Sequence, residues 1–133
     1  MPSERGISAG VRTGELALER NDAGLAVLTI SGEHDLSTAP LLRRRIDNLL
    51  DEGTATVIDL SPATFIDSSI LGVILDSRRR ASDAGIGLAI VHANGAEAVD
   101  RVLDVTGLRA ELPVHARREE AFSEALGSGE PAA

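Results

Sequence analysis

Two short runs near the start of the chain, the first alternating and the second almost wholly apolar, read as strands. Glu15-Leu-Ala-Leu-Glu19 has the period of a half-buried strand, Asn21-Asp-Ala-Gly24 carries turn chemistry, and Leu25-Ala-Val-Leu-Thr-Ile30 reads as a second strand. Together they predict a β-hairpin. Ser31-Gly-Glu-His-Asp-Leu-Ser37 follows as a polar loop. Thr38-Ala-Pro40 opens a helix, with Ser37 or Thr38 as its cap and Pro40 in its first turn. Leu42, Ile46, Leu49 and Leu50 form its inner stripe, Arg43, Arg44 and Asp47 face water, and Gly53 ends it.

The apolar run at 55–60 predicts a buried central strand, followed by a short turn through Ser61-Pro62. A second helix begins near Asp67, Ser68 and Ser69, where side-chain oxygens can cap free backbone N–H groups. Its stripe holds Ile70, Leu71, Val73, Ile74 and Leu75, apolar around more than half its girth, which predicts some exposed surface for a partner. Arg78, Arg79 and Arg80 complete the helix dipole, and Asp83-Ala-Gly85 stops the helix. Residues 86–91 predict another buried strand, and 97–103 a short helix packed through Val99, Val102 and Leu103. Residues 107–112 read as a short edge strand, and 117–126 as a last amphipathic helix using Ala121, Phe122 and Leu126.

Strands alternating with helices after an N-terminal hairpin imply an α/β fold, a mixed sheet with helices laid on it. The chain of 133 residues suits one domain. Its expected organisation is a flexible tail at 1–13, a domain at 14–126 and a small-residue tail at 127–133.

Composition narrows the function. The formal net charge of −8, with only two aromatic residues, Phe65 and Phe122, argues against a nucleic-acid binder. No cysteine is present for a disulfide, a thiolate metal site or a nucleophile. No apolar run approaches the length that crosses a bilayer, so a cytoplasmic protein without membrane association is expected.

No convincing catalytic set emerges. Ser68 and Ser69 lie on a strand-to-helix turn, but no G-x-S-x-G surrounds them and nothing in the sequence brings His34, His92 or His115 near. Glu33, His34 and Asp35 are adjacent and cannot all face one metal ion on regular backbone. Gly85-Ile-Gly87 is too short to cradle a phosphate. The expectation is therefore a non-enzyme without metal or cofactor. The Asp67-Ser68-Ser69 turn stands out, because two hydroxyls are present where one would cap.

Phe65-Ile-Asp-Ser-Ser-Ile-Leu-Gly-Val-Ile-Leu75 resembles the signature of the anti-sigma-factor antagonists, the bacterial proteins that define the STAS domain. Gly32-Glu-His-Asp-Leu-Ser-Thr-Ala39 is similar to that family's loop before its first helix, and Asp104-Val-Thr-Gly-Leu108 to its late helix-ending segment. The resemblance implies a STAS fold, with a four- to five-stranded mixed sheet and about four helices mainly on one face. It also implies partner switching: the chain would bind an anti-sigma factor with serine kinase activity and release its sigma factor. The kinase would phosphorylate the antagonist, and a PP2C-type phosphatase would restore it. The phospho-acceptor maps to Ser68, and Asp35, Asp67, Ser69 and Ile70 fall at the partner surface, with Ser69 also readable as a plain helix cap. Ile70 departs from the family's usual Gly and adds bulk beside the acceptor, to fill a partner pocket or hinder the kinase. The alternative is an unswitched STAS scaffold or sensory module within a larger signalling complex.

Overall fold

Every neighbour of the second strand helps to place the Ser68 turn. In the computed structural model, which describes residues 14–93, 97–112 and 114–127, β2 (Ala26–His34) pairs antiparallel with β1 (Glu15–Arg20) on one side. On its other side it pairs parallel with β3 (Thr56–Asp59) and then, through Gly32, Glu33 and His34, with β4 (Ala63–Ile66). The remaining strands are β5 (Leu88–Val91), parallel to β3, and β6 (Val114–His115), parallel to β5. The sheet order is β1-β2-β3-β5-β6, with β4 paired to β2 off that path.

Parallel strands need crossovers, and helices supply them. The helices are α1 (Ala39–Asp51), α2 (Ser68–Ala84), α3 (Glu97–Val105), α4 (Leu108–Glu111) and α5 (Arg118–Gly127). Side chains alternate across the sheet. Leu28, Ile30, Ile58, Leu88 and Ile90 join the main core with Leu42 and Ile46 of α1, Ile70 and Ile74 of α2, and Val99 and Leu103 of α3. Val27, Val57, Ala89 and Val91 point to the opposite face, which α5 covers with Ala121 and Ala125. Because both faces are covered, β3 and β5 are buried at every position. Arg118 Nε donates to Asp59 Oδ2 at 2.9 Å and ties α5 to the end of β3.

The mixed sheet with its helices is the architecture expected, extended by details the pattern hid. The segment read as a polar loop at 31–37 continues β2 through His34, because β4 offers it a parallel partner. Residues 108–111 form a helical turn instead of an edge strand, and the edge is Val114–His115. In α5, Ala125 takes the buried place expected for Leu126, which is 44% exposed. Of the expected tails, 1–13 and 128–133 lie outside the described residues, whereas Gly127, expected to open the C-terminal tail, ends α5.

Candidate functional site, an exposed serine between twin turns

The parallel register His34↔Ile66 sets Asp35 and Asp67 on neighbouring strand ends, where adjacent parallel strands lie roughly 5 Å apart. Each aspartate then closes the same small turn. Asp67 Oδ1 accepts from the Ser69 N–H at 2.9 Å and the Ser69 hydroxyl at 2.5 Å. Asp35 Oδ1 accepts from the Ser37 N–H at 2.9 Å and the Ser37 hydroxyl at 2.6 Å. The motif is Asp-x-Ser in both, and each turn presents its middle residue to solvent: Ser68 in one, Leu36, 71% exposed, in the other. The repeat is visible in the sequence as 35–37 and 67–69, yet only the strand register shows that the two are neighbours.

The two turns begin two parallel helices. Asp67 is the N-cap of α2, and its carboxylate also accepts from Ile70 N–H at 3.3 Å. The cap is thus the aspartate; Ser69 supports it by donating to it, and Ser68 is left over. Among the described residues the Ser68 hydroxyl has no hydrogen-bond partner, and it stands exposed at the first residue of the helix. One turn further on, Gly72 faces open space, so the surface below Ser68 is bare backbone. A mid-helix glycine costs roughly 1 kcal/mol against alanine, stability forgone where the surface must stay low.

Thr38 occupies the N-cap position of α1 without capping it by its side chain. Its hydroxyl serves the loop instead, accepting from Asp35 N–H at 3.2 Å and lying 3.1 Å from His34 Nδ1. His34 Nε2 donates to the Ser31 carbonyl at 3.0 Å. The ring is buried and fastened at both nitrogens, so it braces the Asp35 turn from beneath, while Glu33 and Asp35 are exposed. The donated bonds from the Ser37 hydroxyl and then the Ser37 N–H hold the Asp35 carboxyl below its usual range. It is accordingly a full negative charge beside Ser68 at neutral pH.

Ile70 sits elsewhere than expected. It is fully buried in the main core, as are Leu71, Val73 and Ile74 within a few per cent. The apolar stripe of α2 packs against the sheet below and α1 beside it, and Ile70, expected at the surface, has no exposed side chain in the free protein. The exposed apolar surface at this end comes instead from Leu36 and from Phe65 of β4, 41% exposed. The other histidines are held apart from Ser68, His92 against Asp100 and His115 against Glu124. Among the described residues no cluster of His, Cys, Asp or Glu could hold a metal ion.

The site is thus a pair of capped turns at the ends of two adjacent parallel strands, with an exposed hydroxyl at the first residue of α2. The STAS domain model matches residues 17–121, and the chain belongs to the STAS domain family. It is 29% identical over 102 residues to the anti-sigma-B factor antagonist of Bacillus subtilis, covering 77% of this chain and 91% of that protein. It is 30% identical over 103 residues to the anti-sigma F factor antagonist of Paenibacillus polymyxa, covering 76% and 86%. The crystal structure of an anti-sigma factor antagonist from Mycobacterium paratuberculosis superposes with a TM-score of 0.72 at 25% identity, covering 86% of this chain and 95% of that one. These relatives are named for regulation of another protein, not for a reaction they catalyse. No described helix is long and apolar enough to cross a membrane.

Proposed function

We propose that this protein is a cytoplasmic antagonist of an anti-sigma factor that is also a serine kinase. Binding frees the sigma factor; phosphorylation of Ser68 ends the binding, and a PP2C-type phosphatase restores it. The observation that carries this reading is the exposed, unbonded Ser68 hydroxyl on a turn fixed by the Asp67 cap, with Asp35 and Leu36 on the neighbouring turn. The names of the relatives support the antagonist role.

The geometry suits a switch that leaves the fold alone. Phosphorylation adds about −1.5 to −2 charge at neutral pH. A helix N-terminus tolerates an anion, so α2 stays formed. A partner seated over Leu36 and Ser68 would instead bury that charge beside Asp35 and Asp67, where like charges surround it. The partner surface is assigned to Asp35, Asp67 and Ser68 with Leu36; Ser69 acts through Asp67, and Ile70 is withdrawn from it by burial.

The direct test is displacement. Added to a preformed complex of the anti-sigma factor with its sigma factor, the unphosphorylated protein should release free sigma factor in proportion to the amount added. Release by no anti-sigma factor encoded in the same genome would overturn the antagonist role.

A further inference from the structure

Eight more acidic than basic residues leave this chain no shortage of partners for its arginines. On α1 and α2 most are taken. Arg43 Nη1 donates to Asp76 at 2.7 Å, Arg80 pairs with Asp47, Arg79 lies 3.3 Å from Glu111, and Arg78 lies 3.4 Å from Glu124. The pairs 43–76 and 47–80 also show that α1 and α2 run parallel, with both N-termini at the Ser68 end. Arg44 and Arg45 are the exceptions: neither has an ion pair among the described residues.

They share a stripe. Leu41, Arg44, Arg45 and Asn48 recur at the three- and four-residue spacing of one helix face. That face is turned away from α2, since Arg43 and Asp47 occupy the flank that meets it. Of the carboxylates on and just after α1, Asp47 pairs with Arg80 and Glu52 with Arg20, and Asp51 stands at the helix's last residue. The stripe begins with Leu41, 38% exposed, one turn below the Asp35 loop that presents Leu36.

We propose that the partner bound at Ser68 extends along this flank of α1 and lays an acidic segment over Arg44 and Arg45, with an apolar side chain against Leu36 and Leu41. The inference rests on the antagonist reading and specifies the partner's chemistry. Two cations without ion pairs among the described residues, on the same helix face as the exposed Leu41, make a local basic patch in a chain of net charge −8. Such a patch steers an acidic partner and sets its register more than it raises affinity. Two arginines in a chain of net charge −8 are too few to hold a nucleic acid.

The test is a titration of the anti-sigma factor into four proteins at roughly 50 and 300 mM salt. They are the parent, Arg44→Glu, Arg101→Glu and Ser68→Glu. Arg44 is exposed, so its reversal leaves the fold intact; Arg101, exposed on α3 and likewise without an ion pair among the described residues, controls for net charge. Arg44→Glu should weaken binding by about tenfold at low salt and flatten its salt dependence, while Arg101→Glu matches the parent. Equal weakening by both reversals, or none by Arg44→Glu while Ser68→Glu still weakens binding, would overturn the docking flank and leave the antagonist role standing. A parent that binds no anti-sigma factor would overturn both.

Discussion

Ser68→Glu is expected to weaken binding to the anti-sigma factor by roughly a hundredfold, about 3 kcal/mol, while Ser68→Ala binds as tightly as the unphosphorylated parent. The difference follows from what each change does at the turn. The Ser68 hydroxyl has no hydrogen-bond partner among the described residues, so removing it leaves none of them unsatisfied. The Asp67 cap to Ser69 and Ile70 remains, and with it the start of α2. A carboxylate at 68 would still be well placed in the free protein, at the positive end of the helix. Under a partner it would be stripped of water next to Asp35 and Asp67, and the interface must then hold an unpaired charge among like charges. Isothermal titration of the three proteins reads the effect directly. Equal affinity for all three would mean that the partner does not cover Ser68.

Gly87→Ala should be the most damaging small change to the fold, with no effect on affinity per folded molecule. A Cβ at Gly87 would lie 1.7 Å from the carbonyl oxygen of Ala125 and 2.6 Å from its carbon. Both are backbone atoms of α5, so no side chain can swing aside. The helix must lift from the face it covers, loosening Ala121 and Ala125 from Val57, Ala89 and Val91. Overpacking against backbone costs about 3 kcal/mol, near the upper end for such changes, and lowers the melting temperature by roughly 10 °C or more. The face so disturbed is opposite the one that carries α1 and α2, which is why binding should survive. Thermal unfolding followed by circular dichroism checks the first part and titration of the folded variant the second. A melting temperature within a few degrees of the parent's would contradict the close approach of α5 to β5.

How much of this was legible in the sequence depended on the length of the pattern. Helices α1 and α2 declare themselves through long stripes, an N-terminal proline and a left-handed glycine stop at Gly85, and the structure reproduces them. Strand β4 is four residues, with Ala63 and Ile66 buried and Thr64 and Phe65 exposed, a pattern with neither strand nor helix period. It exists because β2 lends it a partner, which no local rule reveals. The same pairing turns His34 inward, so that a stretch polar in composition becomes a strand end and a braced turn. Ile70 shows the opposite error: an apolar surplus on α2 reads as exposed surface until α1 and the sheet are both placed against it. At the site, Asp67 and Ser68 are legible from the motif. Leu36 is not, since it becomes a neighbour of Ser68 only through the register of β2 with β4.

The most direct measurement is the mass of the protein, intact and after peptide mapping, following incubation with ATP and the anti-sigma kinase that binds it. Phosphoryl transfer at Ser68 predicts one added phosphate, carried by the peptide containing residues 67–69 and assigned to Ser68, and its loss in Ser68→Ala. Ser69, whose hydroxyl is committed to Asp67, should stay unmodified. No phosphate from a kinase that binds the protein would contradict the switch and favour an unswitched STAS scaffold; phosphate on Ser69 in its place would contradict Ser68 as the acceptor.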